Sequence, residues 1–281
     1  MSNSSPQPST RPKEQQARLL PTFAERLFKR LPAGLSAQMP ERERLTVAQQ
    51  AFEFFFTRPE PVKVCVITQV IGGAPVTVIE SAMADCAFIV DSWRGYLHEL
   101  ELGGFVLLHP IFSVARDAQG RLISFEEGSA RERRESLVTV IFETRLDDAT
   151  ASRVAAEVEH RMHEVIAATS DFEKMTARAL RICEELVPLR ELVELRDFLR
   201  WLVAGSFLFL GYERYTVSQL DGTPALVREA GSGLGILRDQ APGEKPARTF
   251  HTIESLDPDL LFQGPVLIVS KSNVQSHVQR L

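Results

Sequence analysis

The stretch of this chain that most restricts its fold is Leu137-Val138-Thr139-Val140-Ile141-Phe142, six residues that are almost all apolar or β-branched. Successive side chains of a strand point to opposite faces, so a half-buried strand alternates apolar with polar residues. A run without a polar face predicts a strand covered on both sides. The fold around it has to provide that cover.

The flanking sequence spells out the neighbouring elements. Val62 to Val70 is a β-branched run closed by Gly72-Gly73-Ala74-Pro75, a turn signal, and Val76 to Met83 reads as a second strand. From Asp85 to Leu102 the period becomes helical, with Phe88, Val90, Trp93, Tyr96, Leu97 and Leu100 available for a buried face. Asp85 is placed as the N-cap, and Gly103-Gly104 suit the helix's C-terminal end. Phe105 to Val114 is an apolar strand, and Asp117-Ala118-Gln119-Gly120 turns it into a shorter one near Leu122 to Phe125. After Phe142, Asp147 or Asp148 caps a helix with Val154, Val158, Met162, Val165 and Ile166 on one side. The order is strand, helix, strand, strand, helix, with an extra strand ahead. This predicts an α+β protein with a ferredoxin-like βαββαβ unit, its helices on one face of an antiparallel sheet. Small amino-acid-sensing modules of the ACT type use this topology, but so do proteins of many other functions.

Around that unit, residues 1–20 read as a disordered tail rich in Ser, Pro and Gln. Residues 21–60 read as N-terminal helices, one carrying Phe23, Leu27, Leu31 and Leu35 four apart and one from Glu41 to Phe56, stopped by Pro59 and Pro61. The ACT-like domain takes 61–170. A helical connector of two helices, Asp171 to Leu186 and Leu189 to Val203, takes 171–205. A second, smaller β-rich unit, complete or incomplete in this chain, takes 206–281, with strands at Phe207 to Val217 and Val266 to Val269 and a turn at Asp221-Gly222.

Charge and cysteine usage narrow the function classes. A formal charge of −5 gives a nucleic-acid partner no electrostatic support, and Arg131, Arg133 and Arg134 alternate with Glu132 and Glu135 as a solvated loop does. Three widely spaced cysteines, Cys65, Cys86 and Cys183, argue for a reducing compartment rather than a disulfide scaffold. With neither a signal-peptide pattern nor a membrane-spanning apolar run, the chain reads as cytoplasmic with no membrane partner.

Each candidate chemical motif has a structural reading beside it. Gly231-Ser232-Gly233-Leu234-Gly235 has glycines, but not the Gly-x-Gly-x-x-Gly spacing of a dinucleotide loop, so it reads as a turn. His160 and His163 are three apart on a helix, where a zinc pair usually stands four apart with further ligands, and they read as helix surface. His98 reads as surface and His109 as a hydrogen-bonded sheet residue. Glu126-Glu127 and Asp147-Asp148 read as solvated pairs, and no Ser-His-Asp or Cys-His arrangement emerges. No catalytic, cofactor-binding or metal-binding residue is assigned.

Several blocks resemble the N-terminal region of the large bacterial NAD-specific glutamate dehydrogenases. The most specific are Phe198-Leu199-Arg200-Trp201-Leu202 followed by Phe207-Leu208-Phe209-Leu210-Gly211-Tyr212-Glu213, then Gly231 to Asp239. Asp85-Cys86-Ala87-Phe88-Ile89-Val90-Asp91-Ser92 is similar to the family's Asp-Met-Pro-Phe-Leu-Val-Asp-Ser, with Cys86-Ala87 in place of Met-Pro. His109-Pro110-Ile111 with Val114-Ala115-Arg116-Asp117, and Ser270 to Val274, match two further blocks. The resemblance implies ACT-like domains here and nucleotide- and glutamate-binding domains elsewhere, so NAD belongs to the parent enzyme and no cofactor to this chain. It implies a regulatory or assembly role, with an amino-acid effector, a homo-oligomer and the parent's catalytic domain as partners. A stand-alone amino-acid sensor and a ligand-free oligomerisation module are the rivals.

For an effector, the start of the helix near Asp85 to Ser92 offers free backbone N–H groups and a positive dipole end to a carboxylate. This predicts a ligand site of Asp85, Phe88, Asp91 and Ser92, with Asp91 or Glu80 meeting the ammonium group. The other reading is that Asp85 and Asp91 merely stabilise the helix end.

Overall fold

The computed structural model describes residues 12–29, 39–101, 103–125, 134–185, 192–220 and 223–238. Contacts divide the chain into two compact units, with the boundary between Met162 and His163.

In the first unit, strand β6 (Arg134–Phe142) is buried at every position from Glu135 onward. One of its edges pairs antiparallel with β2 (Ala74–Ala84), from Thr77 opposite Phe142 to Ala84 opposite Glu135. The other edge pairs antiparallel with β3 (Phe105–Leu108) and then β4 (Ile111–Arg116). β1 (Val62–Ile71) flanks β2, and β5 (Leu122–Phe125) flanks β4, giving the order β1-β2-β6-β4-β5. The β1–β2 hairpin turns on Gly72 and Gly73, both at positive φ, which glycine adopts without a steric penalty.

β3 and β4 occupy what the sequence suggests is one strand. Pro110 lacks an N–H and cannot continue a ladder, so the strand breaks at His109-Pro110. The Pro110 carbonyl instead accepts from the Leu137 N–H at 3.2 Å, and the His109 ring bonds Ser136 Oγ at 2.7 Å.

β2 and the β3–β4 strand are both antiparallel to β6, hence parallel to each other, and helix α3 (Ile89–Leu100) joins them. That is the split β-α-β arrangement expected, and the place beside β2 is filled by the extra strand ahead, β1. The unit's own helices, α3 and the first turns of the one that follows β6, share one face as expected, and the two N-terminal helices cover the other. Helices α1 (Pro12–Phe28) and α2 (Glu41–Phe56) form a core with Ala82, Leu108, Phe112, Val114 and Leu137 on one face. On the other, Trp93 of α3 donates to Ser81 Oγ at 3.1 Å. The first turns of α4 (Asp148–Glu185) meet α3 through Arg161 and Glu99 at 2.6 Å. This second layer is what the all-apolar strand requires.

The face under α1 and α2 is aromatic. Phe23 stacks on Phe112 at 5.1 Å and meets Phe52 edge-on at 5.2 Å, while Phe55 and Phe112 are 5.0 Å apart. α1 starts at Pro12, inside the stretch expected to be tail, and Leu19, Phe23 and Leu27, one turn apart, form its buried stripe. Leu31 and Leu35 lie outside the described residues.

The second unit holds the rest of α4, helix α5 (Val193–Trp201), a π-helical turn (Leu202–Ser206), and two small antiparallel pairs. β7 (Gly211–Tyr212) pairs with β10 (Leu234–Gly235), and β8 (Tyr215–Leu220) with β9 (Thr223–Arg228). One strand from Phe207 to Val217 was expected; the backbone forms the two short strands β7 and β8 there. Two helices meeting near residue 170 were also expected, yet α4 runs unbroken for 38 residues. The cap-type residues that suggested a break are used otherwise. Thr169 Oγ1 donates back to the Val165 carbonyl at 2.7 Å and Ser170 Oγ to that of Ala167 at 3.2 Å, a helix-interior habit of these hydroxyls. The expected turn at Asp221-Gly222 and strand at Val266 to Val269 lie outside the described residues.

Candidate functional site

At the C-terminal ends of β2 and β4 the sheet carries a charged cluster under the loop that follows α2. Glu135 stands opposite Phe112 and Ala84 and shares its face with Leu137. Arg116 engages Glu135 with two nitrogens, Nε at 2.8 Å and Nη2 at 2.7 Å, and spends its remaining donors on the carbonyls of Phe55, Phe56 and Gly120. Arg58 donates at 2.9 Å to Glu135 Oε1, the oxygen that also accepts from Arg116 Nε, and to the carbonyls of Glu60 and Pro61. Burial pushes the Glu135 carboxyl up, but the hydrogen bonds from Arg116 and Arg58 outweigh it and hold the group below its ordinary range. Gly120 anchors the loop: its carbonyl accepts from the Arg58 N–H at 3.0 Å, and an added Cβ would come within 2.5 Å of the Arg58 carbonyl oxygen.

A hollow of about 410 Å³ opens beside this cluster, lined by Arg58, Ala84, Val114, Ala115, Arg116, Arg134 and Glu135. Arg134, read in the sequence as part of a solvated basic loop, is the first residue of β6. It pairs with Asp85 at 3.0 Å.

The ligand residues expected from sequence are only partly brought together. Asp85 is not the cap of α3: its N–H donates to the Arg134 carbonyl at 2.9 Å and its carboxylate pairs with the Arg134 guanidinium. A full charge across the strand ends draws it more strongly than a helix end one turn away. The cap position is taken by Phe88, in the left-handed region at φ 69°, with no side-chain hydrogen bond closing the helix. Such a backbone is uncommon for a bulky residue and stores on the order of 1 kcal/mol. Asp91 and Ser92 lie in the first turn, both half-buried, and the Ser92 N–H already bonds the Phe88 carbonyl. Phe88, Asp91 and Ser92 thus share one helix start, with Asp85 just before it.

Glu80 does not join them. On β2 its side chain points to the face of α1 and α2, whereas Ser81 meets α3. Glu80 is fully buried, approached by the Cys65 thiol at 3.6 Å and the Thr139 hydroxyl at 3.5 Å. Burial raises its carboxyl to about 7. Burial first, and then the neighbouring Glu80 carboxyl, push the Cys65 thiol up to about 12, which leaves it unreactive as a nucleophile. Lys63, its own pKa lowered by burial, donates to the Phe54 and Thr57 carbonyls at the end of α2. A strand position on the inward face of a fully covered sheet is the signal that could have placed Glu80 here.

In the second unit the glycine run forms a turn around a carboxylate. The Gly235 N–H donates to Asp171 Oδ2 at 3.1 Å, and Arg238 adds a contact at 2.7 Å. The Asp171 carboxyl is buried, which raises its pKa, but the bonds from Arg238 and Gly235 outweigh burial and bring it to about 2. An added Cβ at Gly233 or Gly235 would come within 2.1 Å of the chain's own carbonyl oxygens, so the turn closes tightly on its own backbone at both glycines. Among the described residues, no three His, Cys, Asp or Glu side chains converge as metal ligands, and no helix is long and apolar enough to cross a membrane.

Residues 23–158 match the family model described as glutamate dehydrogenase, ACT1 domain, which covers most of the sheet-and-helix unit above. The chain is also similar to three curated NAD-specific glutamate dehydrogenases. The one from Halomonas elongata is 32% identical over 176 residues, 59% of this chain and 11% of the relative. That from Pseudomonas aeruginosa is 29% identical, covering 58% and 11%, and that from Mycobacterium tuberculosis 30%, covering 57% and 10%. The matched part thus spans only about a tenth of these relatives. Residues 23–158 are thus similar to the ACT1 domain of glutamate dehydrogenases, and over rather more than half its length the chain is similar to the large NAD-specific enzymes.

Proposed function

We propose that this chain serves a NAD-dependent glutamate dehydrogenase as a regulatory and assembly region that responds to an amino acid and carries none of the chemistry. The parent reaction converts L-glutamate and NAD to 2-oxoglutarate, ammonia and NADH. The observation that carries the reading is the ACT1 match laid over a split β-α-β unit whose helix α3 begins without a side-chain cap. The N–H groups of that first turn suit a carboxylate, and Asp91 suits the ammonium group of the same ligand. Glu80, with the sheet between it and α3, is left out of the site. Homo-oligomer formation, contact with the parent's catalytic domain and a cytoplasmic location complete the proposal.

A thermal-shift screen of the purified chain against the twenty amino acids tests it. A ligand at about 100 times its Kd stabilises the native state by roughly 2.7 kcal/mol. One or two amino acids should raise Tm in the wild type and fail to do so in Asp91→Asn. No shift with any amino acid would leave the ligand-free oligomerisation module as the better reading.

A further inference from the structure

Three guanidinium groups and one carboxylate line the hollow at the C-terminal ends of β2 and β4. Asp85, paired with Arg134, offsets one more positive charge, leaving three cations against two carboxylates. Among the described residues, Arg58 Nε is buried without a hydrogen-bond partner, although the other donors of the same guanidinium reach Glu135 and two carbonyls. A buried donor left unpaired is costly and is seldom retained without a reason. The segment bearing it is held in place by the Gly120 carbonyl and by the bridge between Thr57 and Arg121, so Arg58 is positioned before anything binds. The remaining lining, Ala84, Val114 and Ala115, is small and apolar, and about 410 Å³ lies within the range of small-molecule sites.

We propose that this hollow binds a small organic carboxylate, with Arg58 Nε donating to one of its oxygens and Arg134 facing the same charge. The ligand supplies the negative charge the cluster lacks and the acceptor that Arg58 Nε lacks. Arg116 and Glu135 hold Arg58 in place as positioning residues. Because Arg134 also holds Asp85, a carboxylate here competes with Asp85 for that guanidinium and loosens the loop leading into α3. The inference rests on the effector reading above for the class of ligand, and sets a carboxylate site at the strand ends, apart from the first turn of α3.

Calorimetric titration of the full chain with L-glutamate, 2-oxoglutarate, acetate and inorganic phosphate tests it, in the wild type and in two variants. Arg58→Lys keeps the charge but removes Nε. Ala84→Leu, at an exposed position, fills the hollow and leaves the ion cluster intact. The expected result is saturable 1:1 binding of at least one carboxylate by the wild type, weakened tenfold or more in both variants. Binding of phosphate in place of the carboxylates would overturn the ligand class, and no binding of any probe would overturn the site. Carboxylate binding that Asp91→Asn abolishes, but Arg58→Lys and Ala84→Leu leave unchanged, would overturn this inference while the effector reading survives.

Discussion

Two buried carboxylates, Glu135 and Glu80, sit on the same face of the sheet and have opposite electrostatic fates. Glu135 is ionised between two arginines; Glu80 has no such partner and titrates near 7. An acid whose pKa is higher in the fold than in the unfolded chain favours folding when protonated. Its contribution is fully present below the unfolded value, near 4.5, and is lost as pH rises through about 7. Glu80→Gln should therefore match the wild type in urea denaturation near pH 4.5 and exceed it at pH 8 by on the order of 3 kcal/mol. Equal stabilities at pH 8 would contradict the assignment. Arg116→Met should cost about 3–5 kcal/mol, because it leaves Glu135 half-paired and takes the guanidinium donors from the Phe55 and Phe56 carbonyls. Neither environment was legible in the sequence. Glu80 was marked as chemically interesting, but its strand partner Cys65 lies 15 positions away and its other contact, Thr139, 59 positions away. Arg58 carried no signal and Arg116 only its place in a family block, since their meeting with Glu135 depends on a register that only the folded sheet sets.

Among the elements, periodicity served well where it ran uninterrupted and failed where side chains offered alternatives. Helix α2 was legible to its ends, Glu41 and Phe56, because Pro59 and Pro61 stop it, and the β1–β2 hairpin was legible in its paired glycines. The cap of α3 was misplaced because Asp85 found Arg134. A break in α4 was expected at Thr169-Ser170-Asp171 because those residues cap helices as readily as they line them. The continuity of α4 makes a sharp prediction. Thr169→Pro should destabilise the chain by about 3 kcal/mol or more, whereas proline just ahead of a separate helix starting at Asp171 would be tolerated; urea denaturation distinguishes the two. The α1 layer makes another. Phe23, fully buried among Phe52, Phe55 and Phe112, should cost about 3–5 kcal/mol when replaced by Ala, read from the shift in the unfolding midpoint. A loss below 1 kcal/mol would mean that α1 is not an integral layer.

For the molecule as a whole, one unit is built on a sheet covered on both faces and the other on the end of a long helix with two small strand pairs. The α+β class and the split β-α-β order were readable because short-range periodicity encodes them. Cover on both faces was read from the all-apolar strand at 137–142, but not that α1 and α2 supply one of the layers, because they lie more than 80 residues upstream. The likeness of residues 23–158 to an ACT1 domain is compatible with many roles, so function depends on what the site accepts. The proposal at this scale is that the chain senses an amino acid and leaves NAD chemistry to another part of a larger enzyme. Equilibrium dialysis of the intact chain against isotope-labelled NAD, and against the amino acid that raises its Tm most, tests that claim most directly. The account predicts saturable retention of the amino acid at one site per chain and no retention of NAD; saturable retention of NAD would contradict it.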